Sequence, residues 1–169
     1  LQASQGLPVD VWFMAPSCVP ATGYDESGAI LTARDITPYL DNPRVLGLAE
    51  MMNFPGVLGG DADVLAKIQA AQASGKRVDG HGPGLSGYAL SAYVASGVTS
   101  DHECSTAEEA MEKIRLGQWI MIREGTAAQN LEALLPLLRE PFARRCLFVT
   151  DDKHPEDLLK HGHLDFIVR

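Results

Sequence analysis

The sequence predicts an α/β fold built from consecutive strand–helix units around a parallel sheet. Three observations carry that expectation. Short apolar runs of strand length recur along the chain, helical spacing of apolar residues fills the stretches between them, and the connections are short. At 169 residues, with 46% hydrophobic and 21% charged, the chain has the length of one ordinary domain and the apolar content for a real core.

The strand candidates are Val9 to Met14, Val45 to Ala49, a weaker run from Lys76 to Gly80, a short one from Val98 to Ser100, and two clear ones, Trp119 to Ile122 and Cys146 to Val149. The last two are β-branched, aromatic or otherwise apolar, as buried strands should be. Asp61 opens a helix with Val64, Leu65, Ile68 and Ala71 at helical spacing, closed by Gly75. Ser86 opens a second, through Leu90, Tyr93 and Val94 to Gly97. Ser105-Thr106-Ala107-Glu108 reads as a capping box for a third, which ends at Gly117. Thr126 opens a fourth, through Leu131, Leu134, Leu135 and Leu138 to the stop at Pro141, and a fifth follows Pro155. No low-complexity linker or charge run interrupts this rhythm, so residues 1–169 read as a single domain. Both a doubly wound open sheet and part of a (β/α)8 barrel fit the alternation.

Composition removes several function classes. Lys and Arg number 14 against 22 Asp and Glu, a formal charge of −8, where a nucleic-acid surface needs a basic footprint. No apolar run approaches the roughly 20 residues of a membrane span, and no signal peptide is visible at the start. Cys18, Cys104 and Cys146 are odd in number and widely spaced, which argues against a disulfide scaffold and for a reducing, cytoplasmic setting. The chain starts at Leu1 and stops on an apolar pattern at Arg169, so we expect a piece of a longer polypeptide.

Acids and histidines fall where the runs end. Glu50 follows Val45 to Ala49, His81 follows Val78 to Gly80, and His102 follows Val98 to Asp101. Glu124 follows Trp119 to Arg123, and Asp151 follows Cys146 to Thr150. In a parallel barrel those ends share one face, where residues distant in sequence converge. Imidazoles and carboxylates suit a zinc, iron or manganese ion, which lowers the pKa of a bound water. The competing reading is that each acid caps a helix or faces solvent, as loop acids commonly do.

Two further patterns imitate sites. Gly82-Pro83-Gly84-Leu85-Ser86-Gly87 has the G-x-G-x-x-G form of a dinucleotide loop, with Asp101 near the distance of a ribose-binding acid. The strand before it is too polar for a buried central strand, so a nucleotide-binding module stands only as an alternative. His161-Gly162-His163 imitates a metal pair, but His161 reads as a helix-end residue with Gly162 as its cap.

Gly80-His81-Gly82-Pro83-Gly84-Leu85, Ser100-Asp101-His102-Glu103-Cys104, Met121-Ile122-Arg123-Glu124-Gly125-Thr126 and Thr150-Asp151-Asp152 resemble, in order, the signatures of adenine deaminases of the bacterial and archaeal type in the amidohydrolase superfamily. Leu48 to Val57, around Glu50, and Gly162 to Asp165 are similar to that family too. The resemblance runs through nearly the whole chain. It implies an incomplete (β/α)8 barrel, roughly strands 3 to 8 with their helices, truncated at both ends relative to the family. It implies hydrolysis of adenine to hypoxanthine and ammonia with a divalent metal, binuclear in the family, Mn or Fe rather than Zn. By position, Glu50, His81, His102 and Asp151 would be metal ligands, with Asp151 also the general base. Glu103 would carry a proton or contact the purine, Asp152 would face the purine, and Arg123 and Glu124 would be structural or substrate-facing. The superfamily's H-x-H pair is absent, so this stretch carries only part of the metal shell. Exposed barrel edges would favour a homo-oligomer or pairing with a partner. Another amidohydrolase activity, on a cyclic amide or a different aminated base, is the nearest alternative.

Overall fold

In the computed structural model, which describes residues 1–169, the first strand, β1, is Phe13–Ala15. It is followed by α1 (Ala33–Leu40), β2 (Val45–Met51), α2 (Phe54–Gly59), α3 (Ala62–Ala73) and β3 (Arg77–Gly80). The chain continues through α4 (Gly87–Ala95), β4 (Ser100–Asp101), α5 (Ala107–Arg115), β5 (Trp119–Arg123) and α6 (Leu131–Leu134). It ends with β6 (Cys146–Val149), α7 (Pro155–His161) and α8 (Leu164–Val168). This is an α/β fold with parallel sheets: the strands form two three-stranded sheets, ordered β1-β2-β3 and β4-β5-β6, and every pairing is parallel. The chain divides into two units, Leu1–His81 with Ser91–Thr99, and Gly82–Leu90 with Ser100–Arg169, and one sheet belongs to each.

In the first unit, Asp61 caps α3 by accepting from the amides of Asp63 and Val64, both at 3.0 Å. The buried face of α3 is Val64, Ile68 and Ala71, at the spacing read from the sequence. That face packs on β2 and β3, whose Leu48, Met51 and Val78 are also buried. β1 is later and shorter than expected. The ladder begins at Phe13, whose N–H donates to the Arg44 carbonyl at 2.9 Å. Val9 and Trp12 are exposed, so their apolar character marks no buried strand. α1 carries Pro38 in its interior, and α2 begins at Phe54-Pro55-Gly56. Both patterns hide a helix from a propensity reading.

In the second unit, Ile120 and Ile122 of β5 are buried, alternating with Trp119, Met121 and Arg123. They pack with Ala107 and Ala110 of α5 and with Leu134 and Leu137. The cap of α5 lies one residue further along than the Ser105 box. Thr106 accepts from the Glu109 amide at 3.3 Å, and the Glu109 carboxylate accepts from the Ser105 amide at 3.2 Å. The long helix expected from Thr126 to Pro141 is not formed. Only α6 is α-helical, followed by 3-10 turns at Leu135–Leu137 and Phe142–Arg145. Pro136 has no N–H to continue the ladder. Upstream, Thr126 to Gln129 close a tight turn in which the Gly125 amide donates to the Ala128 carbonyl at 2.8 Å. α7 starts at Pro155 and ends at His161, and Gly162 follows with φ 94°, a conformation that favours glycine. His161 and His163 therefore belong to a helix–turn–helix junction.

Candidate functional site

Parallel pairing puts the C-terminal ends of neighbouring strands side by side, so each sheet gathers its strand-end residues along one edge. In the first unit these are Glu50 and His81. β2 advances from Leu48 to Met51 while β3 advances only from Val78 to Gly80, a bulge that gives β2 one extra residue. Such a bulge re-aims the side chains within it, and Glu50 is one of them. Glu50 Oε2 lies 2.9 Å from His81 Nδ1. A proton on Nδ1 facing that carboxylate leaves Nε2 as the lone-pair nitrogen, the arrangement by which a carboxylate orients a metal-binding imidazole.

The backbone beneath this pair is tied by a tyrosine. Tyr93 is fully buried; its hydroxyl donates to the Met51 carbonyl at 2.8 Å and accepts from the His81 amide at 3.0 Å. One side chain thus joins the ends of β2 and β3 next to Glu50 and His81. Ser17 donates to the Glu50 carbonyl at 2.5 Å. Apolar helical spacing marks Tyr93 only as core; the available signal was that a buried phenol needs a partner for its hydroxyl.

In the second unit, His102 and Glu103 follow β4, Arg123 ends β5, and Asp151 lies just beyond β6. His102, Glu103 and Asp151 each offer a donor atom, and these atoms lie within 4.8 Å of one another. His102 is buried, with Nε2 3.8 Å from Glu103 Oε1. Arg123 reaches across the cluster. Its Nη2 donates to Glu103 Oε2 at 2.9 Å, its Nη1 to Glu103 Oε1, and Nη1 also to Asp151 Oδ2 at 3.0 Å. Asp151 has φ 53°, a left-handed conformation that aspartate tolerates better than most residues.

The loop bearing Asp151 is held by Gly125. A Cβ there would stand 2.5 Å from the Thr150 carbonyl oxygen and 2.7 Å from that of Asp152. The close approach brings the Thr126 amide to the Asp152 carbonyl at 2.9 Å. Asp152 itself is exposed. Glu124 accepts from the Leu131 amide at 3.2 Å, at the first turn of α6. Its carboxylate thereby meets the orphan donors of a helix start.

A third cluster belongs to the second unit. Lys113 and Asp101 are both fully buried and 3.2 Å apart, and Lys113 also reaches Glu109 and the Gly82 carbonyl, each at 2.8 Å. Burial alone would lower the Lys113 ammonium's pKa, but the attraction of Asp101, Cys104 and Glu109 outweighs it and raises the value. Burial would raise Glu109, yet hydrogen bonds from Lys113 and the Gly84 amide bring it below its ordinary 4.5. The Cys104 thiol is pushed up to about 12 by burial, so it is neither a nucleophile nor a thiolate ligand at neutral pH.

This cluster decides the glycine loop. The Gly82 amide donates to Asp101 at 2.9 Å, Gly84 to Glu109 at 2.9 Å and Gly87 to Glu112 at 2.8 Å. A dinucleotide loop presents such amides to a pyrophosphate; here three carboxylates occupy them. Asp101, the candidate ribose acid, is sealed against a lysine. The match to G-x-G-x-x-G is formal.

Residues 1–162 match the model of the amidohydrolase family. This chain belongs to that family. Amidohydrolases are metal-dependent, and the imidazole and carboxylate donors described above are the kind such an ion takes. The chain is 54% identical over 168 residues to an adenine deaminase of Desulfatibacillum aliphaticivorans, covering 99% of this chain and 30% of that protein. It is 51% identical over 169 residues to adenine deaminase 2 of Carboxydothermus hydrogenoformans, covering 100% of this chain and 29% of that one. Against an adenine deaminase of Clostridium acetobutylicum the identity is 49% over 169 residues, covering 100% and 30%. This amidohydrolase chain thus spans about 30% of the length of the curated relatives it matches. No helix in it is long and apolar enough to cross a membrane.

Proposed function

We propose that the intact protein hydrolyses adenine to hypoxanthine and ammonia, and that residues 1–169 form a partial (β/α)8 barrel domain carrying part of its active site. The observation that supports this most is identity near 50% along the whole chain to relatives named adenine deaminase, together with imidazole and carboxylate donors at successive strand ends.

In this reading Glu50, His81, His102 and Asp151 hold a divalent metal, with manganese or iron preferred to zinc and two ions in the complete site. Such an ion, when bound, makes hydroxide available near neutral pH. The rest of the chemistry falls to side chains. Asp151 accepts the proton of the water that attacks C6 and returns it to the exocyclic nitrogen, so that ammonia leaves and the ring keeps the oxygen. Glu103 lies within the same cluster and moves a proton at the purine or contacts it. Asp152, exposed beside Asp151, faces the ring. Of the two roles expected for Arg123 and Glu124, structural or substrate-facing, the bonds they make, to Glu103 and Asp151 and to the Leu131 amide, favour the structural one. Association of copies through terminal strands such as β1 and β6, and a cytoplasmic setting consistent with three free cysteines, belong to the same proposal.

The deciding experiment measures ammonia release from adenine by the intact protein, beside a panel of cyclic amides and other aminated bases. Adenine should be the preferred substrate, and Asp151→Asn should lower kcat by about 10²–10⁴-fold. Preferred turnover of a cyclic amide would replace the substrate and keep the class; full activity in Asp151→Asn would remove the assigned base.

A further inference from the structure

We infer that Arg123 is a positioning residue that holds Asp151 and Glu103 as a fixed pair, with Asn130 setting the plane of its guanidinium; the inference rests on the proposed deamination only for the role of Asp151. Arg123 Nε donates to Asn130 Oδ1 at 2.8 Å, and the Asn130 amide donates back to the Arg123 carbonyl at 3.0 Å. With Nε fixed, the two terminal nitrogens point at Glu103 and Asp151. The planar fork suits this task, because it grips one carboxylate with two donors and spends a remaining one on the other. Arg123 is register-paired with Val149 across β5 and β6, so its side chain starts level with the strand from which Asp151 departs two residues later.

The bridge divides labour between the carboxylates. Both oxygens of Glu103 are engaged by Arg123, so a metal ion there would compete with a permanent positive charge. Only Oδ2 of Asp151 is engaged by Arg123, which leaves its second oxygen outside the ion pair. Glu103 is thereby removed from the ligand set, and Asp151 is held in place for a ligand and a proton. With its donors turned to two carboxylates and an amide of its own chain, Arg123 is a support for the site and not a contact to the substrate. Nothing in local sequence announces this, since Arg123 and Glu103 lie 20 residues apart and Arg123 and Asp151 lie 28 apart.

The test uses the intact protein with Arg123→Lys and Asn130→Ala. Lysine keeps the charge but lacks the fork; Asn130→Ala keeps the arginine and frees its plane. Both should lower kcat for adenine by about tenfold or more, the cost of a reacting group misplaced by an ångström or so. KM should stay within about twofold. In a crystal structure of Arg123→Lys, the Glu103 and Asp151 carboxylates should separate. A rise in KM with kcat preserved would make Arg123 a substrate contact, and unchanged kinetics in both variants would make it a solvated ion pair; either overturns the inference. Loss of metal in both variants while the two carboxylates keep their separation in the crystal would overturn it too. If Arg123→Lys fails to fold, Asn130→Ala is read in the same way, its crystal structure included. If the unsubstituted protein releases no ammonia from adenine, the deaminase reading falls instead. The crystal structures then decide this inference alone, since carboxylates that keep their separation would refute it.

Discussion

Glu50 and Glu103 are both strand-end glutamates beside a histidine, yet they sit in different electrical company. Glu50 faces the Nδ1 of His81, a ring that can be neutral. Glu103 is gripped by Arg123, a group that cannot shed its charge. A neutral imidazole brings no charge of its own for a metal cation to displace. A carboxylate held by a guanidinium must first give up a charge-assisted pair. Two strand-end acids, one paired with an imidazole and one with a guanidinium, therefore differ in what a metal ion would have to displace.

The largest expected effect puts this contrast to the test. Glu50→Gln in the intact protein should reduce bound metal per chain, and Glu103→Gln should leave it near the unsubstituted level, as measured by elemental analysis. Equal losses would abolish the distinction. The next effects concern what underpins each region. Lys113→Met leaves the Asp101 carboxylate buried without its ammonium and should cost about 3–5 kcal/mol in denaturant unfolding. Below it ranks Tyr93→Phe, which removes the hydroxyl joining Met51 to His81 and should cost about 1–2 kcal/mol. A larger loss in Tyr93→Phe than in Lys113→Met would invert the ranking of the two supports.

The smallest effect is one of pH. The folded pKa of Glu109 is held below 4.5, so its contribution is present above 4.5 and disappears as pH falls through the lower folded value. Lys113 is raised above 10.5, so its contribution is complete below 10.5 and is lost as pH climbs through the higher folded value. Melting temperature against pH should fall on the acid side, and Glu109→Gln should flatten that limb. An unchanged acid limb would mean that the Glu109–Lys113 pair contributes nothing there.

Strand positions were largely readable in advance. Cys146 to Val149 matched β6, and the runs at Val45 and Trp119 fell short of β2 and β5 by two residues and one. These segments announce themselves because a buried strand must be apolar over its own few residues. The helix expected from Thr126 does not form because Pro136 interrupts the apolar spacing that announces it. The Ser105 box slipped by one because Ser105 and Thr106 can both cap, and only packing chooses between them. The candidate site was readable as a set of donors at strand ends. Its supports were not: Tyr93 reads as core, Asn130 falls inside the helix expected from Thr126, and Asp101 reads as part of a nucleotide motif.

What the order of residues settled was periodicity and placement, the strand–helix alternation and an acid or imidazole at the end of most strands. Both follow from short-range rules, since a strand repeats every two residues and a turn lies next to what it turns. Which charge meets which was settled by folding. Arg123 meets Glu103 and Asp151, Lys113 meets Asp101, and three carboxylates close the glycine loop. Those pairings depend on strand register and loop closure, over separations for which no local rule exists.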